Sequence, residues 1–234
     1  MIYITGDIHG DSWRVVKLCR IVSPAPDDVI VLLGDVGANY YGEKKDTPVK
    51  AMLDMNDVKI LCIHGNHEKR PWNVDGYKLT EWRGGKVWVQ EDFTNLLFAK
   101  DGEIFDLEGY KCIVIGGAYS VDKFYRLECG YGWWADEQPS DEIKAYVEKQ
   151  LSTNAVDIVL SHTCPFKYEP REAFLSGIDQ SQVDDSTERW LDTIEERLDY
   201  KVWYCGHWHI NKRIDRIRFL YDAIEMLGEY REEI

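Results

Sequence analysis

The chain has 234 residues, is 44% hydrophobic and carries a net charge of −14. That length suits one domain over residues 1–234, able to bury roughly 70–75% of its unfolded surface without a disulfide scaffold. The charge disfavours a general nucleic-acid-binding face, and no run approaches the ~20 apolar residues of a membrane span.

In chain order, six short apolar runs each end in a polar motif. Ile2 to Thr5 leads into Gly6-Asp7-Ile8-His9, Val29 to Leu33 into Gly34-Asp35, and Lys59 to Ile63 into His64-Gly65-Asn66-His67-Glu68. Cys112 to Ile115 leads into Gly116-Gly117, Asp157 to Leu160 into Ser161-His162, and Val202 to Cys205 into Gly206-His207-Trp208-His209. The runs are β-branched without strict alternation, the pattern of strands buried on both faces. Helical spacing of apolar residues runs from Val15 to Val22, and from Ile143 to Leu151 behind Ser140 as N-cap. A third helix is predicted from Trp190 to Leu198, behind an Asp185…Glu188 pair that resembles a capping box. Hairpins are predicted over Thr80 to Gln90, broken by Gly84-Gly85, and over Glu103 to Ile115 around Glu108-Gly109.

Strands alternating with helices predict an α/β layered fold with antiparallel additions. Gly116 to Pro139 and Cys164 to Asp185 lack periodicity, and loops of that length in a compact domain are usually functional or disordered. The first is rich in aromatics, which argues against disorder. The acidic tail from Glu225 to Ile234 is expected to be a solvated terminal segment. The six cysteines are scattered with no Cys-x-x-Cys pair, which favours free thiols and a reducing cytoplasmic setting. No cleaved leader is expected, because it would remove Asp7 and His9.

Ligands in open α/β sheets gather beyond the carboxyl ends of the strands. His9, His67, His162, His207 and His209, with Asp7, Asp35 and Asn66, all occupy that position. Oxygen and imidazole donors without a thiolate suit Mn, Fe, Zn, Co or Ni. Asp7 and His9 are two apart, as are His207 and His209, so each pair shares a face in an extended stretch. Asp35, alone at its strand end, is suited to bridge two ions. Asn66 and His67 are adjacent and point apart, so one can take metal while the other faces substrate. Two adjacent divalent ions make water a nucleophile at neutral pH.

The ordered set Asp-x-His, Gly-Asp, Gly-Asn-His-Glu, a lone His and Gly-His-x-His, from residue 6 to 209, resembles the calcineurin-like metallophosphoesterase superfamily. The resemblance implies a four-layered α/β/β/α sandwich with two mixed sheets. It implies that Asp7, His9, Asp35 and His209 hold one divalent ion, and that Asp35, Asn66, His162 and His207 hold the other. His67 becomes the general acid. The implied reaction is hydrolysis of a small or nucleotide-like phosphoester, mono- or diester, by in-line attack of metal-bound hydroxide on phosphorus. Two divalent ions, two aspartates and one hydroxide leave a formal charge of about +1, so an acidic protein still attracts phosphate. A catalytically silent scaffold of the same fold is the alternative, disfavoured by the intact ligand set. A nuclease is disfavoured by the net charge.

In the protein-phosphatase branch, and in the symmetrical dinucleoside tetraphosphatases, the second motif continues as Gly-Asp-x-x-Asp-Arg-Gly. Here it reads Gly34-Asp35-Val36-Gly37-Ala38-Asn39. Ala38 stands where an aspartate would orient the acid, Asn39 where an arginine would grip phosphate, and His64 where that branch has arginine before Gly-Asn-His. A neutral amide cannot reproduce bidentate guanidinium binding, which argues against a phosphoprotein phosphatase of that branch. Substrate phosphate is then expected to meet Asn39 and Arg70, or Lys123 and Arg126. Glu68 is read as a backbone or imidazole partner and His64 as support for its loop. Trp133-Trp134 read as loop anchors and Asp136-Glu137 as helix-entry charge.

Overall fold

The computed structural model describes residues 1–228. Each apolar run becomes a short strand, and each motif begins where its strand stops. The first half contains β1 (Ile2–Thr5), α1 (Ser12–Val22), β2 (Val29–Leu32), α2 (Glu43–Asp54), β3 (Lys59–Cys62), β4 (Tyr77–Trp82), β5 (Gly85–Gln90) and β6 (Phe93–Ala99). The second contains β7 (Ile104–Leu107), β8 (Tyr110–Ile115), α3 (Lys123–Glu128), α4 (Asp141–Thr153), β9 (Ile158–Ser161), α5 (Ser186–Glu195) and β10 (Val202–Cys205). The chain closes with β11 (Lys212–Ile214), β12 (Ile217–Phe219) and β13 (Glu225–Met226).

One sheet has the order β13-β1-β2-β3-β6-β5-β4 and the other β11-β12-β10-β9-β8-β7. In each, four central strands are parallel and the flanking strands antiparallel. The sheets face each other across a shared core in which Ile4, Val31 and Leu61 meet Val114, Leu160 and Tyr204. Val15, Leu18 and Leu53 attach α1 and α2 to the outer face of the first sheet, and Val147, Leu191 and Ile194 attach α4 and α5 to the second. This is the expected four-layered sandwich with two mixed sheets. Burial on both faces explains why the central strands do not alternate.

Local chemistry agrees with most of the predicted ends. The Ser140 hydroxyl accepts from the Ile143 N–H at the start of α4. Both hairpins turn on left-handed pairs, Arg83-Gly84 (φ 46° and 86°) and Glu108-Gly109 (φ 55° and 86°), as two-residue hairpins require. The capping box at α5 does not form. Asp185 makes no cap bond and instead pairs with Arg189 at 2.7 Å, while Glu188 turns into the interior. Helix α2 escaped the apolar pattern because Pro48 and several charges interrupt it; Asp46 secures its start by accepting from the Tyr41 and Gly42 N–H groups. The tail also differs from expectation. Glu225–Met226 pairs antiparallel with β1 and Leu227 is buried, and the rest of that segment beyond Gly228 lies outside the described residues. Among the described residues no helix is long and apolar enough to cross a membrane.

Candidate metal centre

The carboxyl ends of the parallel strands in both sheets open on one cleft. From the first sheet come Asp7 and His9 after β1, Asp35 after β2, and Asn66 and His67 after β3. From the second come His162 after β9, and His207 and His209 after β10. The expected extended geometry for the paired residues is not what brings them together. His9, Asp35, His207 and His209 all adopt left-handed backbone, with φ of 47°, 44°, 66° and 50°. Tight turns, rather than strand alternation, fold these side chains back on the cleft. Such conformations cost of order 1–3 kcal/mol each and persist where the surroundings over-determine them, which is typical of functional sites. Close approach adds a second constraint: a Cβ on Gly65 would collide with the Asp35 carboxylate, and one on Gly34 with the His162 ring.

The donors form two groups that share Asp35. On one side His9 Nε2 lies 2.9 Å from His209 Nε2, and His209 Nε2 lies 3.4 Å from Asp7 Oδ2. On the other, Asn66 Oδ1 is 2.8 Å from His162 Nε2 and 3.1 Å from His207 Nδ1. Asp35 faces both, with Oδ1 3.7 Å from His162 Nε2 and Oδ2 3.8 Å from His9 Nε2. It also anchors the acid candidate, since Oδ1 accepts from the His67 N–H at 2.7 Å. Asp7 accepts twice from the His207 N–H, at 3.0 and 3.1 Å, which ties the two sheets' loops together.

Proton bookkeeping tests whether these residues suit a cation. His162 Nδ1 meets the Leu33 carbonyl at 2.8 Å, an acceptor only, so in the neutral ring Nδ1 donates and Nε2 carries the lone pair. Asn66 Nδ2 donates to Ser120 Oγ at 2.9 Å, so the amide turns its oxygen toward that lone pair. With that ring neutral, two acceptors face each other at 2.8 Å in a buried site, a pairing that a cation resolves. Burial alone would raise the Asp35 carboxyl, but positive charge at His162, His67 and His9 holds it well below the usual carboxylate range, a charge that a bound cation would supply once those rings are neutral. Burial pushes the His207 ring down to about 3, leaving it neutral. The residues fit divalent metal, and three ligand groupings of carboxylate and imidazole atoms converge here.

His67 stands at the edge of this cluster. Burial lowers its ring from the ordinary value, and the charges of Asp35 and Asp122 counter that. Asp122 Oδ1 lies 3.6 Å from His67 Nε2, in ion-pair range rather than hydrogen-bond range. Sequence reading missed Asp122. Ala38 leaves His67 without a carboxylate from its own loop, and a different element, the start of α3, brings one. Nothing local in the sequence marks that pairing.

The expected phosphate contacts are placed elsewhere. Arg70 is 1% exposed; it pairs with Asp101 and donates from Nε to the Asp136 carbonyl at 2.8 Å. Asn39 is buried and accepts from the Tyr77 hydroxyl at 3.1 Å. Arg126 is also buried, holding the Ser120 hydroxyl and the Gly132 carbonyl, and the Lys123 ammonium sits 4.2 Å over the Trp133 ring. None of the four lines the cleft. Arg70→Ala is expected to destabilise the fold by ~3–5 kcal/mol, because Asp101 stays buried without its partner. Thermal unfolding would detect this, and an intact fold with raised KM would restore Arg70 to the substrate.

Glu68 behaves as expected, accepting from the Gly65 and Val36 N–H groups at 3.2 and 3.3 Å. His64 is buried beneath its loop. Trp133 and Trp134 anchor their loop: Trp133 donates to Glu137 at 2.8 Å, and the Trp134 ring meets Tyr40 edge-on. Glu137 is not helix-entry charge. It is buried and accepts from the Ser120 hydroxyl at 2.5 Å, so it supports the same serine that fixes Asn66.

A family model described as calcineurin-like phosphoesterase matches residues 1–211. The chain belongs to the calcineurin-like phosphoesterase family. That family hydrolyses phosphoesters and typically binds divalent metals, and the candidate ligands of this member fall within the matched span. Among solved structures, TT1561 of Thermus thermophilus is 13% identical, with 94% of this chain and 87% of that chain covered and a TM-score of 0.55. This likeness shows the fold. Phosphopantetheinyl hydrolase (PptH) from Mycobacterium tuberculosis is 15% identical, with 94% and 87% covered and a TM-score of 0.45. AQ665 from Aquifex aeolicus, a protein of unknown function, is 12% identical, with 95% and 89% covered and a TM-score of 0.43.

Proposed function

We propose that this family member is a dinuclear metal-dependent hydrolase of small phosphoesters, with His67 as general acid. One observation supports it above the others: the two oxygens of Asp35 face histidines from opposite halves of the ligand set, His162 and His9. Asp7, His9, Asp35 and His209 would hold one ion, and Asp35, Asn66, His162 and His207 the other. The ion identities fit Mn, Fe, Zn, Ni or Co by donor type. When bound, the pair supplies an activated water and neutralises charge on the phosphoryl oxygens.

The chain's own residues do the rest. Asp35 fixes the His67 main chain, so the acid moves with the centre it serves. A proton at His67 Nε2 is attracted by Asp122 and passes to the leaving oxygen. Asp122 is thus a positioning residue. Without its charge the ring holds its proton less tightly, so Asp122→Asn should move the alkaline limb of the kcat profile to lower pH. A shift of about one pKa unit corresponds to ~10-fold in proton affinity. An unmoved limb would remove Asp122 from the mechanism.

The deciding experiment adds Mn, Ni, Co, Zn and Mg separately to purified protein and measures hydrolysis of p-nitrophenyl phosphate and its bis-ester. Turnover with at least one metal is expected, and the preferred ester separates phosphatase from phosphodiesterase. Fewer than one bound ion and no turnover after adding Mn would favour the silent scaffold.

A further inference from the structure

The cleft does not end at the candidate ligands. One cavity of about 310 Å³, near the lower end of the ~300–1,000 Å³ usual for small-molecule sites, holds both His9, Asp35, Asn66, His67, His207 and His209 and an apolar extension beside them. Phe174, Leu175, Ile178 and Val183 line it from the connection between β9 and α5, Tyr119 from the loop after β8, and Trp208 from between the two histidines after β10. The Phe174 and Trp208 rings stack at 5.6 Å with 20° between planes, which makes a flat apolar wall continuous with the ligand loop. The remaining lining is acidic or neutral. Glu169, Asp184 and Glu188 border the same space, and no lysine or arginine lines it among the described residues. Burial pushes Glu169 and Glu188 each up to about 7, while the hydrogen bond from Ser186 holds Asp184 below the ordinary value, so this end of the cavity stays negative near neutral pH.

We infer that this cavity receives the organic part of the phosphoester, and that this part is an apolar group of aryl or branched-alkyl type bearing no further phosphate. The inference rests on the phosphoesterase reading and narrows it. An apolar group gains by displacing water from Phe174, Leu175, Ile178 and Trp208. A second phosphate, as in a nucleoside di- or triphosphate, would enter a space bordered by the carboxyls of Glu169, Asp184 and Glu188 with no lysine or arginine in its lining. The metal centre attracts one phosphoryl group, and the cavity repels any other.

The test measures binding without turnover, in Mn-supplied protein, by calorimetry with three phosphonates. These are methylphosphonate, 1-naphthylmethylphosphonate and methylenediphosphonate. The naphthyl compound should bind about 10-fold tighter than methylphosphonate, the scale of hydrophobic discrimination in such pockets. Phe174→Ala should reduce that advantage. Leu175 is 62% exposed, so Leu175→Lys is compatible with folding; it should weaken the naphthyl compound and strengthen the diphosphonate. Equal binding of the naphthyl and methyl compounds, or a diphosphonate unaffected by Leu175→Lys, overturns the substrate class while esters are still hydrolysed. Absence of both phosphonate binding and ester hydrolysis with every metal overturns the phosphoesterase reading, and the substrate class with it.

Discussion

Asp35→Asn is expected to leave the sandwich folded, strip the centre of metal and abolish phosphoester hydrolysis. The reason lies in the number of jobs one carboxylate does. Its two oxygens face His162 and His9 at 3.7 and 3.8 Å, and one of them also holds the His67 N–H at 2.7 Å. Asparagine keeps one neutral acceptor. The other becomes a donor and would point at a histidine lone pair or at the cation itself. Asp7 is then the one carboxylate left among the seven candidate ligands. Loss of a supporting group outside a ligand set already costs about 10–100-fold in metal affinity, and loss of a shared ligand should exceed that. Metal content after dialysis, measured beside far-ultraviolet dichroism, checks it. A folded variant that retains two ions and full turnover would refute the bridging role.

His67→Ala should behave differently: metal retained, chemistry lost. His67 is outside the proposed ligand set and presents Nε2 toward the cleft beside Asp122. Removing a general acid typically lowers kcat by ~10²–10⁴-fold. The loss should depend on the leaving group. An alkoxide needs the proton, whereas p-nitrophenolate departs almost unaided, so the penalty should be large for alkyl esters and small for p-nitrophenyl esters. Equal penalties across leaving groups would turn His67 into a binding residue. Loss of metal from this variant would instead place it among the ligands.

These variants separate two layers of the site that the sequence showed together. The candidate ligands are legible because each stands at the end of a short β-branched run, and burial of those runs on both faces gives a pattern visible without coordinates. The substrate side was not legible. Arg70 lies three residues beyond His67 and reads as a basic side chain at the active site. The chain turns there, and the guanidinium runs inward to Asp101 in the β6–β7 connection. Asp122 was passed over because its partner is distant in sequence and its own surroundings carry no motif. The apolar cavity fell in the stretch from Cys164 to Asp185, where Phe174, Leu175 and Ile178 follow no period because short 3₁₀ turns and loops bear them.

The sequence by itself therefore determined which residues are candidate metal ligands and that they stand at strand ends, since donor chemistry and strand burial are both local properties. It did not determine which of those residues meet. That depends on sheet order, on left-handed turns at His9, Asp35, His207 and His209, and on glycines that let loops approach within contact. The pairing of His67 with Asp122 and the apolar character of the cleft were decided by tertiary structure alone. Both arise where loops from different strands pack against each other, and no periodicity along one segment records such a meeting.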